Sequence, residues 1–388
     1  MKLIHFTSIL EIIILFFSCN DINRKPKSSY VLEETESRLV YQLDGNTRSF
    51  ILALFVYKDC KGKEYLTFQS QGQNKLFFYD MNSCKLEFTI KPEMTGPNGI
   101  GRFLGYYIHN TDSIFLTSED SSEIILINHC AILKDKFQYK KTSNNILLSQ
   151  FYSTSFAYQP IVLIGNKMYI ISGCNRWTLK NPISAVINIS DKSIYALPFS
   201  YPHFIGANNK QKRAGVETFF SRCFDGKQFI YSFYYDENIY ITSLNHDSIR
   251  QIKSKSKLID KIVLPDDYDR ASSLSFTLKK FCEEPNYGNM YFDKYRNVYY
   301  RIAYPKTKIE NEIDPINVWQ FGRKIFSIII LDKDFNIIGE TVFPKYTYNS
   351  KLIFVREDGI YIGENNSRNS KLNDNFLSFK RFVLLNKC

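Results

Sequence analysis

The sequence predicts an all-β chain: a six-bladed β-propeller of four-stranded antiparallel blades, with an N-terminal strand closing the last blade. Three observations predict it. Residues 287–343 hold two hairpins, YGNMYFDKYRNVYYRI and SIIILDKDFNIIGETVF, whose apolar and aromatic runs are broken by the polar turns Asp293-Lys294-Tyr295-Arg296-Asn297 and Asp332-Lys333-Asp334. Short runs of this kind between turn residues are strands, and four in succession have the size of one propeller blade. Looser copies recur, their second strands marked by Tyr65, Ile114, Met168, Phe229, Val298 and Ile360, roughly 50 to 70 residues apart. Finally, residues 37–43 (SRLVYQL) form a strand-like run with no blade of its own, while the last unit stops one strand short. Pairing the two closes the ring and removes the edges a linear array would expose.

Taken in order, the chain begins with Lys2 and an apolar run that ends Ile12-Ile13-Ile14-Leu15-Phe16-Phe17-Ser18-Cys19. It is too short to cross a bilayer and has the length of a signal-peptide core. Ser18 before Cys19 fits a bacterial lipobox, in which the cysteine is acylated and becomes the N-terminus; Phe16 and Glu11 depart from the usual pattern, and a plain secretory signal is the alternative. Residues 20–29 (NDINRKPKSS) are polar and aperiodic, as a tether is. The expected organisation is a signal peptide over 1–18, a lipidated tether over 19–29 and the propeller over 30–388, with the membrane as a partner through Cys19.

Within the body, each unit ends in a hairpin: Leu76 to Tyr79 turning at Asp80, Ile124 to Ile127 at Asn128, Ala185 to Ile189 at Ser190, Ile239 to Leu244 at Asn245, and Ile328 to Leu331 at Asp332. Two further strand-like runs precede each one, and the sixth unit is built from residues 352–355, 359–362 and 376–385. The stretch 244–281 reads as an elaborated connection and not a seventh unit. An outer-membrane barrel fits less well, because its strands need about 9 to 11 residues with a lipid-facing band.

The turn Gly96-Pro97-Asn98-Gly99-Ile100-Gly101, the following Asp112-Ser113-Ile114, the hairpin at 287–302, the run at 328–341 and the closing Phe376-Leu377-Ser378-Phe379 together resemble the uncharacterised Bacteroidetes lipoproteins grouped under domain of unknown function 4221, which are related to six-bladed TolB and NHL propellers. The resemblance implies a single propeller tethered to an envelope membrane and brings no catalytic residues with it. In that group an acidic run after the lipidated cysteine accompanies surface export. None follows Cys19, so a periplasm-facing anchor is expected.

Composition narrows the function. Aromatics make up 16% of residues and the formal charge is +11, unchanged by removing residues 1–18. Lys and Arg are dispersed along turns and strand ends and form no stripe, so a solvated surface is expected and a nucleic-acid partner is not. None of the five His is spaced as H-E-x-x-H, Asp266-Asp267-Tyr268-Asp269 lacks the Gly and Glu of a calcium loop, and there is no G-x-S-x-G elbow; no metal or cofactor is expected.

The candidate ligand-binding residues are Arg176, Trp177, Arg213, Glu217, Arg222, Arg301 and Trp319, placed by the blade pattern near a channel face. Arg and Trp supply a planar fork and a large rigid surface. Trp177 could instead plug the channel, the arginines could tie blades together, and the insert carrying Trp319 could be a cap. With Cys19 lipidated, seven Cys remain, and Cys60–Cys84 is the one pair proposed as a disulfide. The leading expectation is a monomeric, non-catalytic binding or scaffold module for a peptide, glycan or protein. The rival is a propeller lactonase, lyase or glycosidase using channel carboxylates.

Overall fold

Polar turns fix where this chain reverses. The computed structural model describes residues 29–70, 72–146, 148, 157–171, 182–202, 216–263 and 273–387. In five hairpins the last turn residue is left-handed: Cys84 (φ 56°), Ala131 (61°), Lys192 (59°), His246 (58°) and Phe335 (68°). Each donates its N–H, at 2.8–3.1 Å, to the carbonyl of a short polar residue three or four positions earlier: Asp80, Asn128, Asn188, Ser243 or Asp332. The side chain assists. Asp80 Oδ1 accepts from the N–H of Asn82 (3.0 Å) and Ser83 (2.6 Å), and Asp332 Oδ1 from Asp334 (2.9 Å) and Asn336 (2.8 Å), the local bonding that makes Asp and Asn turn formers. The N–H of Ser83 is the main cause that holds the Asp80 carboxyl down to about 2.

Between these turns the apolar runs form strands. The N-terminal strand is β1 (Ser29–Gln42). Four antiparallel four-stranded sheets follow in sequence order. The first holds β2 (Ile51–Lys58), β3 (Glu64–Ser70), β4 (Leu76–Asp80) and β5 (Leu86–Ile90); the second β6 (Phe103–Asn110), β7 (Ser113–Ser118), β8 (Glu123–Ile127) and β9 (Leu133–Gln138). The third holds β10 (Val162–Ile164), β11 (Lys167–Ile171), β12 (Ser184–Asn188) and β13 (Ile194–Ala196); the fourth β14 (Phe220–Phe224), β15 (Phe229–Phe233), β16 (Asn238–Thr242) and β17 (Ile249–Lys253). After helix α1 (Leu274–Glu283) come β18 (Asn286–Asp293), β19 (Val298–Tyr304), helix α2 (Pro315–Phe321), β20 (Ser327–Leu331), β21 (Ile337–Val342), β22 (Asn349–Arg356), β23 (Gly359–Gly363) and β24 (Phe376–Lys387). These strands and β1 make an eight-stranded sheet, in the order β18-β19-β20-β21-β1-β24-β23-β22.

The sequence leads one to expect six separate sheets; hydrogen bonding gives five. The cause is local. β1 runs antiparallel to β24 from Ser29↔Lys387 to Gln42↔Phe376, but touches β21 through the single parallel bridge Tyr30↔Gly339. β1 is also longer than the expected 37–43 run, because residues 29–34 pair with the far end of β24 beyond an irregularity between Glu34 and Arg38. The expected elaboration at 244–281 holds β17 and all but the last two residues of α1, which is capped by Ser273, whose Oγ accepts from the Phe276 N–H.

Apolar clusters join each four-strand unit to the next. One packs Phe68, Phe77 and Tyr79 of the first sheet against Tyr41, Leu377 and Phe379 of β1 and β24, so the two ends of the chain share a core. Another packs Ile302, Ile328 and Ile330 of β19 and β20 against Ile360, Ile362 and Phe382. Four more occupy the boundaries between successive sheets.

Antiparallel alternation sorts the connections into two ends. Turns joining first to second and third to fourth strands lie at one end, here called the turn end; links between units and loops joining second to third strands lie at the other, the link end. Both helices are at the link end.

Gly339 is the tight point of the β1–β21 contact, since a Cβ there would lie 1.9 Å from the Tyr30 carbonyl oxygen. Gly339→Val is expected to lower stability by about 1–3 kcal/mol as an overpacking change, read as a shifted denaturation midpoint. Gly45→Ala, with nothing within 4 Å of the added carbon, is expected to leave it in place.

Candidate functional site

First strands converge on one cavity of about 460 Å³. Its wall is Leu54, Phe55 and Val56 of β2, Tyr107 of β6, Ala157, Pro160, Ile161, Val162 and Leu163 of the segment holding β10, Cys223 and Phe224 of β14, Met290, Tyr291 and Phe292 of β18, and Ile353, Phe354 and Val355 of β22. None of these side chains is charged. Burial pushes the Cys223 thiol and the Tyr291 phenol well up, so both stay neutral. Among the described residues, no group of three or more His, Cys, Asp or Glu could hold a metal ion.

The link end carries the polar chemistry. Helix α2 is capped by Asp314, whose Oδ1 accepts from the Ile316 N–H, and begins with Pro315, whose missing N–H is harmless there. Val318, Ile309 and Ile313 of this insert pack against Phe281 and Cys282 of α1 and against Val216 and Tyr235. The insert therefore caps the link end, and Trp319 is half-buried in it, its ring 6.4 Å from that of Phe50. Over the Trp319 ring sits Lys351, its Nζ 4.0 Å from the ring centroid and donating to the Trp319 carbonyl oxygen. The β22–β23 register shifts between Asn349 and Ile353, and Lys351 falls in that irregularity, a device that re-aims side chains. Burial above all, with Arg323 adding and Cys282 opposing, brings the Lys351 ammonium down to about 7. Nothing in the sequence marked Lys351; only the folded chain sets it against Trp319.

Arg222 and Arg301 are wholly buried and spent on other parts of the chain. Arg222 donates to the carbonyls of Pro160 (2.7 Å), Tyr169 (3.2 Å) and Ile170 (3.3 Å) and to Ser184 Oγ (3.0 Å), tying β14 to the third sheet. Arg301, on β19, reaches the fourth sheet: the carbonyls of Asp236 (2.6 Å), Ser254 (2.8 Å) and Glu237 (2.9 Å) and Ser232 Oγ (2.9 Å), with its guanidinium 3.7 Å over the Tyr287 ring. These are the inter-unit ties foreseen as the alternative role, made to backbone carbonyls rather than to carboxylates. Cys60 and Cys84 are free thiols at the turn end, so the pair proposed as a disulfide is not joined. Cys84 instead packs against the cluster holding Tyr41 and Tyr79. Arg176, Trp177, Arg213 and Cys19 lie outside the described residues, as does the side chain of Glu217.

A buried polar chain runs beside Arg222. Ser184 Oγ and His246 Nε2 lie 2.7 Å and 2.5 Å from the Tyr231 hydroxyl, and His246 Nδ1 lies 3.2 Å from the Leu244 carbonyl oxygen. It sits between the third and fourth sheets, and none of its residues lines the cavity.

The model of a domain of unknown function, DUF4221, matches residues 29–342, most of the chain. The chain belongs to the DUF4221 family. Among solved structures, a DUF4221 member from Bacteroides vulgatus is similar at 23% identity with a TM-score of 0.78, covering 93% of this chain and 100% of its own. A candidate exported protein from Bacteroides fragilis is similar at 11% identity and a TM-score of 0.52, covering 95% of this chain and 98% of its own. Both are likenesses of fold. Comparison with curated proteins gives no match.

Two titrations follow from this DUF4221 site. Burial, followed by Arg222, lowers His246 from 6.5 to about 4 in the folded state. Above its unfolded value the ring is neutral in both states and stability is intact. As pH falls from there toward about 4 the unfolded chain takes the proton first, so about 3 kcal/mol of stability should be lost at about 1.4 per pH unit. Urea midpoints at pH 7 and pH 4.5 should show this loss, and His246→Asn, whose residue tolerates a left-handed backbone, should flatten it. For Lys351, Trp319 emission in a Trp177→Phe background should titrate near pH 7, and Lys351→Met should abolish the step; a midpoint above pH 9 would rule out the burial effect.

Proposed function

We propose that this DUF4221 chain is a membrane-anchored envelope lipoprotein whose β-propeller is a non-catalytic binding module, with the channel receiving the apolar part of its ligand. The observation that carries this is the cavity wall, aromatic and aliphatic side chains from six first strands with no charged group among them. Ligand pockets are typically apolar with a few placed polar groups. The first strands are also sheet edges, so backbone N–H and C=O groups reach the channel beside these side chains; a peptide or protein segment carrying a hydrophobic side chain can use both, which favours it over a glycan as the partner.

The six-bladed count, of the TolB and NHL kind, belongs to the same reading. It is supported by the single bridge Tyr30↔Gly339, against the many-residue antiparallel ladders on either side, a contrast that favours reading the eight-stranded sheet as two abutting blades. Lipid on Cys19 and a periplasm-facing anchor complete the proposal and rest on the Ser18-Cys19 junction and the non-acidic tether. A monomer suffices, since the cavity is walled by one chain.

Leu163 and Val355 line the cavity and are half-buried. Leu163→Glu and Val355→Glu should each weaken binding of an apolar fluorescent ligand at least about tenfold, which is about 1.4 kcal/mol, with thermal unfolding used to confirm that the fold is kept. Equal affinity in folded variants would remove the channel from the proposal.

A further inference from the structure

The strand directions decide which end of the molecule meets the membrane, an inference that rests on the lipid anchor proposed above. β24 runs from the link end toward the turn end, and β1 returns antiparallel to it, with Ser29 opposite Lys387. The bridge Tyr30↔Gly339 agrees, since Gly339 is two residues into β21 from its start at the turn end. Ser29 is therefore at the turn end, on the outer perimeter. Nine residues separate it from Cys19, and the ten Cα–Cα steps between them reach at most about 33–36 Å in any conformation. The turn end is held close to whatever surface holds Cys19.

Exposed apolar side chains occur at both ends, at the link end on Met94, Val263, Leu274 and Phe276, but at the turn end they follow the repeat. Leu86, Ile132, Tyr195 and Ile249 are 42–53% exposed. They occupy matching positions, at or beside the start of the fourth strand in four successive sheets, just past the left-handed turn residue. Singly exposed apolar residues are ordinary. Here they repeat from sheet to sheet on the rim where the tether begins. Charge at this rim is mixed, with Lys85 and Arg250 beside Asp191 and Asp247, all exposed, so attraction to anionic head groups is not what the rim offers.

We infer that the turn-end rim is a membrane-contact surface: Leu86, Ile132, Tyr195 and Ile249 rest in the interfacial layer of the anchoring bilayer, and the link end, with α1, α2, Trp319 and Lys351, faces away from it. Aliphatic side chains gain by leaving water for that layer and a tyrosine by bridging it, and the anchor makes the encounter intramolecular. The contact is apolar and does not require anionic lipid.

The full lipidated chain in zwitterionic vesicles with brominated acyl chains tests this. A fluorescent probe goes on Cys130, an exposed turn-end thiol, or on Asn46→Cys at the link end, with the other reactive cysteines except Cys19 changed to Ser. The Cys130 probe is expected to be quenched and the residue 46 probe to keep its emission. Combined Leu86→Asp, Ile132→Asp and Ile249→Asp, all at exposed sites, should relieve the quenching while the chain stays on the vesicles. Quenching at residue 46 instead, or at neither site, overturns the orientation, including the case in which a protein partner covers the rim. A mature chain whose mass shows no lipid on Cys19 overturns the anchor itself, a separate result.

Discussion

One backbone ladder carries this architecture: β1 against β24, joining residues more than 300 positions apart, from Ser29↔Lys387 to Gln42↔Phe376. The closure entropy of so long a loop rises only logarithmically with its length, so the ladder and the core beneath it can offset it. That core is aromatic. Tyr41 from β1 and Phe379 from β24 lie ring against ring at 6.1 Å, and Tyr41 meets Tyr79 of the first sheet at 5.6 Å. Without the ladder, the first sheet and the β22–β24 run would each face water with an apolar side. The cluster beneath it packs the first sheet against the last strands, and the Arg356–Glu64 ion pair (2.9 Å) and the Phe50–Trp319 contact join distant parts of the chain as well.

The buried arginines show how the units are kept in register. A sheet packed on a sheet by apolar side chains alone can slide, because the attraction is non-directional. A guanidinium bonded to several carbonyls cannot. Arg301 does this between β19 and the second-to-third-strand loop of the fourth sheet, and Arg222 does so between β14 and the third sheet. Burial lowers Arg301 to about 10, still charged at neutral pH, so the directional bonds persist. The same features that made these residues attractive as ligand contacts, a strong donor on a first or second strand, are what an inter-unit tie requires.

The two ends of the molecule have diverged. At the turn end, the same left-handed residue and short polar acceptor recur from hairpin to hairpin. At the link end, two helices, a capped insert and an ammonium over an indole break the repetition. Repetition maintains the fold; the departures from it gather at the link end. Between the two lies the cavity, whose lining residues carry no charged side chain.

By itself the sequence determined the strands and turns, because both are written locally: alternating aromatic and β-branched runs such as Ile328 to Leu331, and Asp or Asn at each reversal. It also determined the family, whose model matches residues 29–342. It could not determine whether Arg222 and Arg301 face a channel or a neighbouring sheet, since period-two alternation gives two faces without saying which is which. Nor could it foresee the bridge that fuses β21 to β1, which depends on one glycine and one carbonyl meeting across the fold. The cavity and the Lys351–Trp319 contact are likewise products of tertiary structure alone, for each is assembled from residues on separate elements that only the closed arrangement brings within reach.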